Sequence, residues 1–348
     1  MASEPSTAFL KNLTGTPTAI PPIWLMRQAG RYLPEYKAVR AQAGSFLNLC
    51  YDSDKAAEVT LQPIDRFDLD AAILFADILL IPHALGQNLT FVEGEGPRLD
   101  PVVAPEMLDT FRGKDIHATL SPVYETVSKV RAGLDPSKTL IGFAGAPWTV
   151  ATYMMAGGPM KDPASLRSLY YQDRAFLGAL IDIITDATVD YLSRQVDAGA
   201  GAIQLFDTWA GGLPIEVLDF VSVRPLSAIA GRLKAAYPEI PVILFPKGVG
   251  SALPAYSALE DCDGVGIDYA VDWEWAFDHL SPLATVQGGL DPLLLVEGGE
   301  HMELAIRQLV SIFEGSPFIF NLGHGIVPQT PPENVARLVE IVREGAER

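Results

Sequence analysis

The sequence predicts an α/β fold, a single-domain (β/α)8 TIM barrel over residues 1–348, on three observations. About eight short apolar segments alternate with longer amphipathic ones, as in repeated βα units around a parallel sheet. No repeat of fixed period, charge block or Ser/Gly-rich linker marks a domain boundary. With 348 residues, 49% of them hydrophobic, the chain is long enough to bury one large core. A doubly wound sheet would show the same local alternation, but the number of strands favours a closed barrel.

The predicted strands are apolar runs that end in Gly, Pro or polar residues. They cover residues 22–26, 71–75, 140–143, 202–206, 242–245, 264–267, 284–287 and 318–321. The predicted helices cover residues 163–197, 214–237, 300–313 and 332–344. Gly94 and Gly96 supply the turn of a hairpin predicted over residues 88–100. We expect a short flexible segment at the N-terminus.

Composition excludes several classes of partner. The 43 acidic residues against 25 basic ones give a net charge of -18, so nucleic acid and anionic membrane surfaces are poor partners. The most apolar stretch, residues 71–85, is interrupted by polar residues and is shorter than the roughly 20 residues of a membrane span. Cys50 and Cys262 form neither a disulfide framework nor a CxxC motif. Because residues 1–12 also lack the pattern of a secretory signal, we expect a cytoplasmic protein.

Polar and aromatic side chains follow the predicted strands at their carboxyl ends, where barrel enzymes place their chemistry. They are Arg27, Arg31, Asp77, Trp148, Tyr153, Asp207, Thr208, Lys247, Asp268, Asp291 and His324.

Two arginines follow the first predicted strand, and Gly30 permits a tight backbone path between them. A bidentate contact between arginine and a carboxylate contributes on the order of 1.5 to 3 kcal/mol in a partly desolvated pocket. Arg27 and Arg31 are therefore predicted to bind carboxylates. The alternative is a pair of surface ion pairs with Glu35 or Asp52.

Asp77 and His324 each allow a structural and a functional interpretation. Asp77 follows an apolar run, so its charge needs compensation, either as a helix cap, as a metal ligand or as an acceptor for several substrate N–H groups. His324 lies between Gly323 and Gly325, which predicts tight backbone packing. The imidazole is either structural or donates a hydrogen bond to a substrate carbonyl or carboxylate.

Nucleotide and metal motifs are absent from the sequence. Residues 142–153 form neither a GxGxxG nor a Walker loop, and the five histidines form no HxH or HExxH pair. Neither a nucleotide cofactor nor metal catalysis is therefore predicted. Trp148 and Tyr153 either line a broad flat cavity or belong to the core.

Two long segments resemble the signatures of the uroporphyrinogen decarboxylase family. They are PIWLMRQAGRYLPEY at residues 22–36 and GFAGAPWTVATY at residues 142–153. The similarity continues in order through residues 75–77, 206–211, 247–250 and 321–328. The sequence is thus similar to this family over nearly its whole length.

The resemblance implies a (β/α)8 barrel, usually a homodimer, that converts uroporphyrinogen to coproporphyrinogen. Four acetate side chains become methyl groups without metal or prosthetic group. Protonation of a pyrrole carbon creates a cationic ring that accepts the electrons released with carbon dioxide, so the substrate acts as its own electron sink.

The resemblance also implies roles for individual residues. Asp77 would accept the pyrrole N–H groups, while Arg27 and Arg31 would clamp carboxylates. The proton source is Arg27 or an ordered water, and the choice stays open because an arginine pKa above 12 makes a weak acid. The predicted catalytic residues are Asp77, Arg27 and Tyr153. The predicted substrate contacts are Arg27, Gln28, Ala29, Gly30, Arg31, Asp77, Tyr153, Phe206, Thr208 and His324.

Three positions depart from the family's usual pattern. They are residues 157–161, where the family often has Ser-Ser before the lysine, Thr208 in place of serine, and Gly289 in place of asparagine.

Two other functions deserve comparison with decarboxylation. A related barrel, a zinc-dependent methyltransferase with a corrinoid partner, commonly has an HxC motif, and neither Cys50 nor Cys262 has a histidine two residues before it. A tetrapyrrole carrier without catalysis would not need Arg27, Arg31 and Asp77 together.

Overall fold

The computed structural model describes residues 7–92, 94–160 and 163–345. The start of the N-terminal segment that was predicted to be flexible, residues 1–6, lies outside the described residues.

Seven parallel strands form one curled sheet in the order β1-β4-β5-β6-β7-β8-β9. These strands are β1 (Ala71–Ile73), β4 (Thr139–Gly145), β5 (Ala202–Asp207), β6 (Val242–Pro246), β7 (Gly264–Ile267), β8 (Thr285–Gly288) and β9 (Phe318–Ile319). The predicted hairpin is confirmed as the antiparallel pair β2 (Leu89–Val92) and β3 (Gly96–Leu99). Its glycines at 94 and 96 have φ values of 78° and 86°, as a tight turn requires.

Hydrogen bonds across the interior show how strongly the sheet curls. Gln287 on β8 donates from Nε2 to Oε1 of Gln204 on β5 over 3.1 Å, although the two strands are three positions apart in the sheet. Trp24 Nε1 donates to Gln287 Oε1 over 2.9 Å. All three side chains are buried, so this polar chain crosses an otherwise apolar interior.

The strand predicted over residues 22–26 is reduced to one parallel bridge, between Ile23 and Phe320. Trp24 donates its backbone N–H to the Phe320 carbonyl over 3.3 Å. On the other side, the backbone N–H of Asp70 donates to the Ile23 carbonyl over 2.9 Å. This segment therefore lies between the two edge strands of the sheet, β1 and β9.

The segment stops pairing early because side chains take over its backbone groups. Met26 donates its N–H to Oδ1 of Asn321, and Leu25 donates its N–H to Oε1 of Gln28. A turn closed from the Gln28 N–H to the Leu25 carbonyl follows at once. The prediction of five strand residues was wrong in length, although the position of the segment agrees.

Helices pack around the sheet. They are α1 (Ala8–Leu13), α2 (Pro34–Gln42), α3 (Phe46–Tyr51), α4 (Ser53–Phe67), α5 (Leu80–Ala84), α6 (His117–Gly133), α7 (Pro147–Ala156), α8 (Pro163–Gln172), α9 (Arg174–Asp197), α10 (Ile215–Leu218), α11 (Arg224–Ala236), α12 (Pro254–Ser257), α13 (Trp273–Leu280), α14 (Leu294–Glu297), α15 (Gly299–Ile312) and α16 (Pro332–Glu344). A π-helical turn, Asp219–Val223, joins α10 to α11, and short 3-10 turns cover Pro105–Thr110 and Gly250–Ala252. In the described part of the chain, no helix combines the length and the hydropathy needed to cross a membrane.

The helix predicted over residues 163–197 is broken in two. Asp173 has an extended φ of -147° and its side chain accepts the Phe176 N–H, so it begins α9 as an N-cap. An aspartate that satisfies a free backbone N–H at a helix start favours a new helix over continuation of the old one.

The helix α1 was not predicted, and it seals the amino end of the curled sheet. Phe9 and Leu13 pack against interior residues of the strands. The side-chain Oδ1 of Asn12 accepts the Phe318 N–H over 3.0 Å, and the backbone carbonyl of Asn12 accepts the Thr285 hydroxyl over 2.7 Å. The first helix is therefore fixed to the last two strands.

Asp70 connects residues 22–24 to the sheet, so its loss should lower stability. Its carboxylate accepts the Ile23 N–H over 2.6 Å and contacts Arg343 at 2.9 Å. We expect Asp70→Ala to lower the free energy of unfolding by about 1 to 3 kcal/mol in urea denaturation followed by circular dichroism. The control is Asp186→Ala, which removes a carboxylate that is 71% exposed and pairs with Arg232. This variant should lower the free energy of unfolding by less than about 1 kcal/mol. Equal losses in the two variants would contradict the assignment.

Candidate functional site

Four of the predicted site residues gather at the carboxyl end of the sheet: Arg27, Asp77, Tyr153 and His324. Each follows a strand or, for Arg27, the segment between the edge strands. The positive charge of Arg27 lowers the pKa of each of the other three groups, although burial dominates the pKa shift of each. The sequence therefore brings together one cation, one carboxyl, one phenol and one imidazole at one mouth.

Asp77 is half-buried, and it lies in the loop between β1 and α5. Burial raises the pKa of its carboxyl to about 6, against the opposing effects of the Leu79 N–H and the Arg27 charge. One oxygen accepts the Leu79 N–H over 2.9 Å. Within the described residues no protein group donates to the second oxygen, which remains able to accept further N–H groups.

Arg27 has a left-handed backbone conformation, with a φ of 60°, which is uncommon for a residue other than glycine. Its side chain is exposed at the mouth of the sheet. The ion pairs considered as an alternative from the sequence do not form. Glu35 instead pairs with Arg66 at 3.1 Å and Asp52 with Lys55 at 2.5 Å.

Arg31 is also exposed, and it lies four residues further along the same loop. Its charge lowers the pKa of Tyr36, which burial raises overall to about 12. Among the described residues it forms no ion pair within 4.0 Å. The guanidinium is thus available to an acidic ligand.

Gln28 differs from the prediction that it contacts substrate. Its side chain is fully buried, accepts the Leu25 N–H at Oε1 and donates from Nε2 to the Ala71 carbonyl over 3.2 Å. It supports the loop that presents Arg27. Ala29 and Gly30 are half-buried beside it.

His324 is half-buried, and a backbone contact defines its tautomer. The Gly325 N–H donates to Nδ1 over 2.6 Å, so the proton of the neutral ring lies on Nε2. Burial, together with the charges of Arg27 and Lys247, lowers the pKa of His324 to about 4 against the opposing effect of Asp268. A neutral imidazole with a fixed Nε2–H donor follows at neutral pH.

Trp148 and Tyr153, both in the second signature segment, differ in their burial. Trp148 is fully buried and donates from Nε1 to the Trp209 carbonyl over 2.9 Å, so it belongs to the core. Tyr153 is half-buried, and burial raises its pKa. Its ring lies 6.4 Å from that of Trp209, in an edge-on arrangement. Of this pair, only Tyr153 is accessible at the mouth.

Aromatic rings form an apolar floor beneath these groups. Phe206 is half-buried, with its centroid 5.7 Å from Phe143 and 6.1 Å from Phe245, and Phe245 lies 6.5 Å from His324. Phe206 was predicted as a contact residue, whereas Phe143 and Phe245 were missed. The signal was an aromatic residue near the end of three consecutive strands.

Thr208 is half-buried, and it follows a carboxylate that serves the fold. Asp207 is fully buried and accepts hydroxyl hydrogen bonds from Thr149 over 2.6 Å and Ser222 over 2.5 Å. Burial raises the pKa of Asp207 to about 6 against these two hydroxyls. Both oxygens are satisfied inside the protein, so Asp207 holds α7 and the π-helical turn to β5.

Of the remaining strand-end residues, Lys247 lies at the mouth, whereas Asp268 and Asp291 accept hydrogen bonds from backbone N–H groups of the loops. Lys247 is half-buried, and its ammonium lies 6.0 Å from the centre of the Tyr269 ring. Its charge acts on His324, so it is a cation of the site that the sequence did not assign to substrate. Asp268 accepts the Gly248 and Ala270 N–H groups, and Asp291 accepts the Leu293 N–H.

Two departures from the family pattern have structural reasons. Gly157 ends α7 with a φ of 71°, and its carbonyl accepts the Leu99 N–H of the hairpin. Gly289 has a φ of 105°, and a Cβ there would lie 2.9 Å from Nε1 of Trp273. Lys161 lies outside the described residues.

Comparison with known proteins gives consistent matches over the whole chain. The family model described as uroporphyrinogen decarboxylase (URO-D) matches residues 4–345. Uroporphyrinogen decarboxylase of Rhodospirillum rubrum is 50% identical over 341 residues, 98% of each chain. That of Paracoccus denitrificans is 52% identical over 336 residues, 96% of this chain and 98% of the relative.

A solved structure of a methyltransferase from Methanosarcina mazei superposes with a TM-score of 0.80 at 19% identity, covering 97% of this chain and 98% of that one. Identity this low shows a shared fold alone. The described residues contain no group of three or more His, Cys, Asp or Glu side chains that could hold a metal ion.

The raised pKa of Asp77 predicts that this residue destabilises the fold at neutral pH. The native carboxyl binds its proton up to about pH 6, while an unfolded one loses it near 3.8, so stability falls as pH rises between these values. Asp77→Asn should therefore raise the free energy of unfolding by about 1 to 3 kcal/mol at pH 7.5 and much less at pH 4. Urea denaturation at both pH values measures this. Asp182→Asn, an exposed site on α9, is the control, and a pH-independent effect at Asp77 would refute the prediction.

Proposed function

Because the chain belongs to the uroporphyrinogen decarboxylase family, we propose that it removes carbon dioxide from the four acetate arms of uroporphyrinogen and gives coproporphyrinogen. The observation that carries the proposal is a desolvated carboxyl, Asp77, whose pKa is raised by burial and lowered in part by the charge of Arg27, the same arginine whose charge acts on His324. Identities of 50–52% with named decarboxylases favour this reaction over the methyltransferase alternative.

Asp77 is the proposed acceptor for the pyrrole N–H groups. One of its oxygens has no donor among the described residues, and the carboxyl is ionised above about pH 6. A fixed negative charge in a partly desolvated mouth stabilises a cationic ring more than water does, because little reorganisation is needed.

The acidic arms of the substrate need donors around that central acceptor. The exposed guanidiniums of Arg27 and Arg31 match carboxylates in charge and in planar geometry. His324 Nε2, Tyr153 and Thr208 add neutral donors, and Ala29, Gly30 and Phe206 complete the proposed contacts. A ring of donors around one acceptor fits a macrocycle with N–H groups inside and carboxylates outside.

The proposed step balances without a cofactor. A proton adds to a pyrrole carbon, and the ring becomes cationic beside Asp77. The bond between the acetate methylene and its carboxylate then breaks, and the electron pair neutralises the ring. Protonation of the methylene and loss of the ring proton give a methyl group, so each cycle consumes one proton and releases one carbon dioxide.

Decarboxylation by the purified protein tests this function. We expect anaerobic incubation with uroporphyrinogen, without added metal or cofactor, to yield a tetracarboxylate and four equivalents of carbon dioxide. Chromatography measures the conversion of the octacarboxylate to the tetracarboxylate. Asp77→Asn should lower kcat by about 100-fold or more while remaining folded. Asp182→Asn should keep full activity, and recovery of unchanged octacarboxylate from the unsubstituted protein would refute the proposal.

Residues 22–24 are proposed to occupy the position of the eighth strand in a closed, single-domain (β/α)8 barrel. The support is their hydrogen bonding to both edges of the sheet, at Asp70 and at Phe320. The same family membership, together with two buried free cysteines, supports a cytoplasmic location.

A homodimer is proposed from the family and from exposed apolar side chains. Ile215, Tyr269 and Leu293 are 69%, 48% and 58% exposed, and they follow the carboxyl ends of β5, β7 and β8. Apolar side chains grouped at one end of a fold favour association.

Sedimentation measures the proposed association. We expect twice the 37.5 kDa of one chain, and Leu293→Glu should shift the mass toward the monomer. Leu304→Glu on α15, where the leucine is 57% exposed, is the matched control. A monomeric unsubstituted protein, or an equal effect of both variants, would contradict the interface.

A further inference from the structure

The last loop of the sheet crosses the side chain of Arg27 at a glycine. Gly325 lies immediately after His324, and a Cβ at this position would lie 2.6 Å from Cγ and 2.9 Å from Nε of Arg27. Contacts between a Cβ and another heavy atom are longer than 3.0 Å in proteins, so the stem of Arg27 passes where an alanine methyl would be. Gly325 has no left-handed φ, so backbone conformation does not explain the glycine.

Both backbones at this crossing are fixed by hydrogen bonds. Ile326 donates its N–H to the Met26 carbonyl over 2.9 Å, which ties the two loops together directly beside the crossing. Met26 is held in turn by Asn321, and the Gln28 N–H closes the turn that contains Arg27. Because these hydrogen bonds fix the backbones of both loops, a methyl group added at Gly325 must displace the Arg27 side chain.

The same glycine orients the imidazole before it. Its N–H donates to Nδ1 of His324 and leaves the proton on Nε2. One residue therefore controls the route of the Arg27 stem and the tautomer of His324. The other glycine beside His324, Gly323, has a different role. A Cβ at Gly323 would lie 2.7 Å from the backbone carbonyl carbon of Asp268, so this glycine permits a close approach of two backbones.

We propose that Gly325 is a positioning residue, which sets the Arg27 guanidinium and the His324 Nε2–H in one fixed arrangement at the mouth of the sheet. Gly325 acts through these two side chains and contacts no reacting atom itself. The kinetic consequence rests on the proposed decarboxylation, whereas the arrangement of Arg27 and His324 does not.

Nuclear magnetic resonance of His324 tests the arrangement without substrate. The charged groups that act on this imidazole are Arg27, Lys247 and Asp268. Because the Arg27 charge lowers the pKa of His324 in addition to burial, Gly325→Ala should raise that pKa by moving the guanidinium away. Histidine-labelled protein, assigned with His324→Gln, reports both the pKa and the tautomer from the ring nitrogen shifts.

A double-variant cycle separates positioning from a general structural effect. Arg27→Ala alone should raise the pKa of His324, and Gly325→Ala in that background should add no further shift, because the stem is already gone. Additive shifts, or an unchanged pKa in Gly325→Ala, would overturn the proposal. If Gly325→Ala alone fails to fold, a folded double variant supports the crossing and an unfolded one refutes it.

Kinetics and a matched glycine complete the test. We expect Gly325→Ala to lower kcat/KM for uroporphyrinogen about 10- to 100-fold, the effect of misplacing one charge-assisted contact. Gly201→Ala, whose Cβ would lie an ordinary 3.4 Å from Thr139 Cγ2, should change neither kcat/KM nor the His324 resonance. A shifted His324 in a protein without decarboxylase activity would refute the function and leave the positioning role intact.

Discussion

Desolvation of one carboxyl group governs the chemistry at the mouth of this sheet. Asp77 follows a buried strand, and burial holds its pKa near 6, well above that of an aspartate in water. The protein compensates it only in part, through the Leu79 N–H and the Arg27 charge, and leaves one oxygen without a donor among the described residues. Asp207 shows the contrast, because hydroxyl groups satisfy both of its oxygens. A carboxyl left partly unsatisfied at a mouth is suited to receive a cation with N–H donors.

The segment around Arg27 links this electrostatic arrangement to the fold. Residues 22–24 hydrogen-bond to both edge strands, and three residues later the chain turns sharply with Arg27 in a left-handed conformation. The buried amide of Gln28 fixes the turn to the first strand at Ala71. A strained backbone persists where the surrounding contacts determine it, so the position of the guanidinium depends on the same bonds that join the edges.

Sequence reasoning located most strands, because apolar runs bounded by turn residues are a local signal. The strand predicted over residues 264–267 matches β7 in full, and the one over 202–206 misses only Asp207 of β5. The shortened pairing at residues 22–26 was not foreseeable, because the amide that ends it, on Asn321, lies 295 residues away. For the same reason the burial of Gln28 escaped prediction, and Trp148 was left undecided between cavity and core, since local sequence does not show which face of a loop meets the core. Arg27, Asp77, Tyr153 and His324 were predicted to lie at one mouth because strand ends meet at one edge of a sheet.

The helix α1 has a consequence for the order in which the molecule is assembled during synthesis. Its partners include Thr285 and Phe318, which follow Asn12 by 273 and 306 residues. The hydrogen bonds that fix α1 to β8 and β9 therefore cannot form until these last two strands have been synthesised. The hydrogen bonds from α1 that close the amino end of the sheet are thus among the contacts of greatest sequence separation in the fold, and they complete it only after its last strands are in place.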